Sequence, residues 1–160
     1  VVGDPAKPVE IRCRALESVA PLSLPEVTEA IKGAYYRGDA EFKASAIYAM
    51  GRNCDTAWLP ILIAELSSAD AAMRYEAAQA CGELEEGEAA PYLAELVDDP
   101  ATEVALTAIQ ALGRIGGGEA KKRLQQLLEE AEEIVRKAAR EALAEIEAKE
   151  EPFPFHFGNP

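Results

Sequence analysis

The sequence contains the segments IRCRALESVA (11–20), FKASAIYAMG (42–51), MRYEAAQACG (73–82), VALTAIQALG (104–113) and VRKAAREALA (135–144), which begin at constant intervals of 31 residues. In this alignment the fifth residue is always alanine, the first and ninth are apolar, and the tenth is alanine or glycine. Apolar residues at i, i+4 and i+8 lie on one face of an α-helix. Each segment is therefore predicted to be an amphipathic helix, and its small tenth residue a tight turn or a helix C-cap.

A second apolar stripe follows each of the first four segments and repeats at the same interval. Its columns are Val27, Trp58, Ala89 and Ala120; Ile31, Leu62, Leu93 and Leu124; and Tyr35, Leu66, Val97 and Leu128. Asp39, Asp70 and the pair Asp99-Pro100 are predicted to mark helix starts, because aspartate accepts hydrogen bonds from free amides and proline fits the first helical position. The sequence predicts an all-α fold: an α-solenoid of about five 31-residue helix-turn-helix repeats, with about nine helices.

The repeated pattern of an apolar residue, a basic residue and alanines, followed by a helix with x-L-x-x-L, resembles HEAT repeats. The 31-residue interval is most similar to the short subfamily named after phycobilisome lyases, and the likeness spans roughly residues 9–148. The resemblance implies that the second helices line a concave face, which usually holds the ligand. It also implies a ladder from the basic column to the turn aspartates. This column reads Arg12, Lys43, Arg74, Ala105 and Arg136, so Ala105 interrupts it.

The chain is predicted to divide into a repeat array over residues 1–148 and a tail rich in proline and phenylalanine over 149–160. The start, VVGDPAKP, has neither an initiating methionine nor a signal-peptide pattern, which indicates a fragment of a longer array. In the tail, Phe153, Phe155 and Phe157 either cap the exposed stripe of the helix over 135–146 or dock on another protein. We favour the cap, because the last repeat lacks a second helix. The oligomeric state stays open.

Composition excludes several classes of function. The chain has 16 basic and 29 acidic residues and a net charge of −13, which argues against binding to nucleic acids or anionic membranes. No apolar run is long enough for a membrane helix. Residues 70–100 hold nine acidic residues and one base, Arg74. This surface either attracts a basic partner or simply keeps the protein soluble.

Little catalytic chemistry is visible in the sequence. The single histidine, His156, lies in the tail, which excludes metal sites built from several histidines. The segment GRIGGG (113–118) lacks the strand and the lysine of a phosphate-binding loop and is predicted to be an inter-helix turn. The three cysteines have no metal-ligand spacing and are expected to be buried thiols of a cytoplasmic protein. We therefore predict no catalytic residue, no cofactor and no metal site.

The remaining candidate site is a binding surface on the second helices. Residues opposite their apolar stripe form an apolar strip, Tyr36, Pro60, Ile63 and Pro91, with the acids Glu29, Glu88 and Glu95 at its rim. An apolar centre with a polar rim is typical of protein interfaces, although scattered surface apolar residues are also common.

The expected function is a non-enzymatic scaffold that binds a protein or peptide, favoured to be basic, on the concave face. One alternative, implied by the resemblance alone, is a lyase-type subunit or chaperone for linear tetrapyrroles. Another is a structural spacer in a larger protein.

Overall fold

The computed structural model describes residues 1–151, and within this range it contains nine α-helices and no β-strand. The helices are α1 (Val9–Val19), α2 (Pro25–Arg37), α3 (Ala40–Asn53), α4 (Leu59–Glu65), α5 (Ala71–Leu84), α6 (Ala90–Leu96), α7 (Thr102–Ile115), α8 (Gly117–Glu130) and α9 (Glu133–Glu150). Short 3₁₀ turns lead into α4 and α6. The predicted all-α solenoid is confirmed. The phenylalanines of the tail and His156 lie outside the described residues.

Two of the three predicted helix starts are correct. Asp39 accepts a hydrogen bond from the amide of Phe42, and Asp70 accepts one from Ala72, both at 2.9 Å. The third prediction is wrong, since α7 begins at Thr102 with Ala101 at its N-cap. Asp99 lies in the preceding turn, where its carboxylate is bound by Arg74. The N-cap positions 39, 70 and 101 therefore keep the 31-residue interval.

The odd-numbered helices, which carry the repeated segments, form one continuous layer, here called the first-helix layer. The prediction that the tenth residue forms a turn or C-cap is wrong, because Gly51, Gly82 and Gly113 lie inside helices. A Cβ atom on Gly51 would lie 2.8 Å from the Cα of Ala80. Gly82 meets Ala111 and Gly113 meets Ala142 in the same way, at 3.0 Å from Cα. The tenth residue is small because the backbone of the next first helix lies directly against it.

The C-caps lie three residues further along. Cys54 and Glu85 have left-handed backbone conformations, with φ of 55° and 54°, and Gly116 has φ of 70°. GRIGGG was predicted to be an inter-helix turn, but only Gly116 lies between α7 and α8, and the rest of the segment belongs to the two helices.

The packing unit is shifted by one helix from the repeat as read in the sequence. Each even-numbered second helix packs mainly on the first helix that follows it, giving the pairs α2–α3, α4–α5, α6–α7 and α8–α9. α9 therefore has a second helix, α8, packed on it, whereas the cap predicted for the tail lies outside the described residues and stays a prediction. Arg140, which is exposed, stands in α9 where the buried Ile47 and Ile109 stand in earlier repeats.

The other end of the array is apolar. No second helix among the described residues packs on α1 ahead of it, and Ile11 is 46% exposed. In the later pairs the equivalent Phe42, Met73 and Val104 are at most 5% exposed. A second helix therefore accounts for the burial of this column wherever a complete pair is present.

The two layers differ in spacing, and this sets the curvature. Consecutive first helices are in close contact throughout, whereas α2 and α4, and α4 and α6, touch at most marginally, and α6 and α8 are in less extensive contact than any pair of first helices. In a curved stack the layer with closer spacing lies on the inside. The concave face is therefore lined by the first helices. The expectation that the second helices line it is wrong, because the glycine–alanine contacts occur in the other layer.

The ladder implied by the resemblance is present at one complete rung. Arg74 forms two hydrogen bonds to the carboxylate of Asp99, at 2.6 and 2.9 Å, and also donates to the carbonyl of Ser68. The arginine lowers the pKa of Asp99 through these hydrogen bonds. In the preceding repeat, Lys43 instead pairs with the buried Glu65 at 2.7 Å. Arg74 thus connects α5 with the turns after α4 and after α6, and Lys43 connects α3 with the second helix α4 that follows it.

Replacing Gly51 by alanine tests the close approach. We expect Gly51→Ala to lower the free energy of unfolding by about 1–3 kcal/mol, since the added methyl overlaps the Ala80 backbone. The matched control is Gly33→Ala in α2, where no atom lies within 4 Å of the new Cβ. There the higher helix propensity of alanine should raise stability by about 0.5–1 kcal/mol. Urea unfolding followed by circular dichroism measures both, and equal effects would contradict the proposed contact.

Candidate functional site

The open face of the first-helix layer contains three adjoining clefts. The first, about 250 Å³, lies between α1, α3 and α5 and includes Tyr48 and Glu76. The second, about 460 Å³, lies between α5 and α7 and shares Glu76 with the first. The third, about 150 Å³, shares Tyr75 with the second and continues to Arg114. Neighbouring clefts share lining residues and so adjoin along the face of four helices, and this row of clefts is here called the inner groove.

The side chains of the groove come from equivalent positions of successive helices. The third, fourth and seventh residues of each repeated segment point away from the stripe that packs on the second helices. The members of this set that line the groove are Cys13, Ala44 and Tyr75; Ser45, Glu76 and Thr107; and Glu17, Tyr48, Gln79 and Gln110. The helical repeat that builds the core therefore also aligns the residues of the groove.

The first two clefts are acidic. They are lined by Glu17, Glu41, Glu76 and Glu103, and by no lysine or arginine. Glu76 is half-buried, and burial together with the nearby charge of Glu17 raises its pKa from 4.5 to about 7. The floor of the groove thus holds a carboxylate that is partly desolvated next to a second carboxylate.

A small polar network fixes one side of the first cleft. Ser45 donates a hydrogen bond to Glu17 at 2.8 Å and contacts the backbone carbonyl of Cys13 at 3.4 Å. These contacts hold the Glu17 carboxylate between α1 and α3. Burial raises the pKa of the Cys13 thiol, so the cysteine is not an activated nucleophile.

The seven residues predicted as a binding surface lie on the second helices and the adjacent turns, in the outer layer. Tyr36 is 68% exposed, and Pro60 and Pro91 are exposed at the starts of α4 and α6. Ile63 is only half-exposed and packs against the core. Glu29 lines a cleft beside Gly3 and Arg37, while Glu95 lines another beside Tyr92.

Glu88 is exposed in the turn before α6, and Glu29 forms a 3.1 Å ion pair with Lys32. The acids at the predicted rim are thus distributed over separate elements. Whether these residues bind a partner stays a prediction, now for the convex face.

The groove was missed because its residues differ from repeat to repeat. The seventh column reads Glu17, Tyr48, Gln79, Gln110 and Glu141, with no shared chemistry. A usable signal was present, since polar and aromatic residues at the third, fourth and seventh positions interrupt an otherwise alanine-rich helix. Because the concave face was expected on the second helices, the residues of the inner groove were not predicted as a site.

The free thiols differ in exposure. Cys13 and Cys81 are buried, as expected, whereas Cys54 is exposed at the end of α3, which corrects the expectation for that residue. Burial raises the pKa of Cys81 to about 12.

The described part of the chain has neither a candidate metal site nor a candidate membrane helix. Over residues 1–151, no three His, Cys, Asp or Glu side chains are grouped so that they could hold a metal ion. None of the helices in this range combines the length and the apolar character needed to cross a bilayer.

Comparison with known proteins identifies relatives of the fold. A family of HEAT repeats matches residues 59–144. No curated protein matches the chain. Among solved structures, the complex of CpcE and CpcF of phycocyanin lyase from Nostoc sp. PCC7120 superposes with a TM-score of 0.71 at 23% identity. That match covers 89% of this chain, and this chain spans about 61% of the length of that one.

Two further structures share the architecture. Human deoxyhypusine hydroxylase in complex with glycerol has a TM-score of 0.58 at 18% identity, covering 92% of this chain and 72% of the other. A designed armadillo repeat protein in complex with the peptide (KR)4 has a TM-score of 0.62 at 20% identity, covering 91% and 78%. Identities this low establish the fold alone.

Replacing Glu76 by glutamine tests the electrostatics of the groove. The pKa of Glu76 is higher in the folded protein than its ordinary value of 4.5, so its contribution to stability is lost as the pH rises through about 7. We therefore expect Glu76→Gln to raise the melting temperature at pH 8.5 and to have a smaller effect at pH 5. Thermal unfolding measures this difference. The control, Glu88→Gln, should show no such pH dependence, and a Glu76→Gln effect that is equal at both pH values would contradict the raised pKa.

Proposed function

Because this chain belongs to the HEAT repeat family, we propose that it is a non-enzymatic interaction module that holds a segment of another protein in the inner groove. The HEAT repeat fold is a scaffold for protein interactions, and this coarse function follows from the family. The finer proposal concerns which surface is used and how. The observation that carries it is the row of adjoining clefts along α1, α3, α5 and α7.

The shape of the groove suits an extended segment. Successive clefts present similar positions of successive repeats, so a peptide crossing the helices meets a new set of side chains at each one. Tyr48 and Tyr75 offer half-buried aromatic surface, while Gln79, Thr107 and Gln110 can donate and accept hydrogen bonds. Aromatic anchors beside amide groups are typical of peptide-binding surfaces. The designed armadillo relative, which is bound to a peptide in its structure, supports this mode of binding by analogy.

The two buried thiols, one of which lines the groove, do not favour covalent catalysis there. Burial raises the pKa of both Cys13 and Cys81, the opposite of what a nucleophilic cysteine requires.

Selection from a displayed library of random peptides tests the proposal. Ligands selected on the parent protein are then measured against two double variants with verified helix content and melting temperature. One changes the groove, with Tyr48→Ala and Tyr75→Ala. The other changes the outer layer, with Tyr36→Ala and Ile63→Glu. We expect the groove variant to lose affinity by about tenfold or more, because anchor side chains dominate such interfaces, and the outer variant to bind like the parent.

The reverse result would move the site to the strip on the second helices, as first predicted from the sequence. If neither the parent nor the variants select any ligand, the spacer function gains instead.

A lyase-type subunit or chaperone for linear tetrapyrroles is the second candidate function. The structural likeness to the phycocyanin lyase complex favours it. The test is to add a bilin to the protein and record its absorption spectrum, with serum albumin as a control for unspecific pigment binding. The interaction module predicts no shift beyond that control, and a specific shift would favour the pigment-binding alternative.

A further inference from the structure

Building on the proposed function, we infer that the segment held in the inner groove is basic, and that the cleft between α1, α3 and α5 accepts a lysine or arginine side chain. The inference concerns the chemistry of the partner, whereas the proposed function concerns only the place of binding.

The lining of this cleft is complementary to a cation. Glu17 approaches from α1, Glu41 from α3 and Glu76 from α5, and no basic side chain lines it. Elsewhere in the described residues, Asp99 pairs with Arg74, Glu65 with Lys43, and Asp98 with Arg123 at 2.6 Å. In this cleft no basic side chain lies beside the carboxylates.

The electrostatic environment of Glu76 also favours a cation in this cleft. This half-buried carboxylate is destabilised by burial and by Glu17, which together raise its pKa. A ligand cation between these two carboxylates would replace repulsion by attraction and would return the pKa of Glu76 towards its ordinary value. Ser45 already orients Glu17 through the 2.8 Å hydrogen bond, so part of the site is arranged before the ligand arrives.

Aromatic side chains lie next to the acids. Tyr48 lines the first cleft, and Tyr75 lines the second together with Glu76 and Glu103. A tyrosine face attracts ammonium and guanidinium groups, and arginine stacks on it through its planar fork. The second cleft repeats the combination of aromatic ring and carboxylate, so an extended segment could place a second cation there. In the third cleft the lining changes to amides and ends at Arg114, which sets the end of the acidic part.

The test is binding of a fluorescently labelled octapeptide of alternating lysine and arginine, followed by fluorescence anisotropy at physiological ionic strength. The groove variant removes two charges, with Glu17→Gln and Glu76→Gln. The matched control removes two charges outside the groove, with Glu88→Gln and Glu95→Gln. We expect the groove variant to bind about tenfold more weakly, whereas the control should stay within about twofold of the parent, since distant exposed charges are screened.

The pH dependence gives a second readout. The titratable groups that share the two clefts with Glu76 are Glu17, Glu41, Glu103, the thiol of Cys13 and the hydroxyls of Tyr48 and Tyr75. The peptide itself does not titrate between pH 6 and 8. The affinity of the parent should therefore fall as the pH is lowered from 8 to 6 and Glu76 takes up a proton. The single variant Glu76→Gln should bind with little pH dependence.

Equal weakening of the groove and control variants would overturn the inference, because the peptide would then respond only to net charge. Absence of binding to the parent would also overturn it. The proposed function is tested separately. Selected ligands that lack lysine and arginine but depend on Tyr48 and Tyr75 would keep the groove as the binding site and refute only the basic partner. Loss of binding in the outer-layer variant alone would refute both.

Discussion

The contact between a glycine of one first helix and an alanine of the next is the constraint on which the rest of the structure depends. At Gly51, Gly82 and Gly113, an added Cβ atom would lie only 2.8–3.0 Å from the Cα atom of an alanine in the next first helix. First helices therefore pack closely on one another, while consecutive second helices make fewer contacts or hardly touch. This difference in spacing bends the stack and places the first helices on its inner side. The clefts of the inner groove lie between these closely packed first helices.

Polar contacts complete the connection between the layers, and they differ from repeat to repeat. Arg74 and Asp99 form the rung implied by the resemblance, while Lys43 uses Glu65, and Tyr35 donates a 2.5 Å hydrogen bond to the same carboxylate. The Arg74–Asp99 pair joins α5 to the turn after α6, Lys43 joins α3 to α4, and Tyr35 joins α2 to α4. The repeats thus share geometry more strictly than chemistry. The acids that line the first cleft of the inner groove have no basic side chain beside them in that cleft.

Much of the fold could be predicted because short-range sequence patterns determine it, and these patterns occur in each of the five repeats. The apolar columns, the alanine at the fifth position and the caps at Asp39 and Asp70 each act within one or two helical turns. The candidate site could not be predicted in the same way. It depends on which layer is inside and on how Glu17 and Glu76, two repeats apart, approach one another. The third start was misread because Asp99 lies two residues before the N-cap Ala101, in a turn where it accepts hydrogen bonds from both Arg74 and the Ala101 amide.

By itself, the sequence determined the helices, their number, their 31-residue interval and their stacking, since hydrophobic periodicity and capping are properties of short segments. Only the tertiary structure decided the pairing of each second helix with the following first helix, the direction of curvature and the composition of the groove. The physical reason is that a small residue has several uses that look alike in a sequence. A glycine can end a helix or admit a neighbour, and only the position of Ala80, Ala111 and Ala142 shows that these glycines admit one.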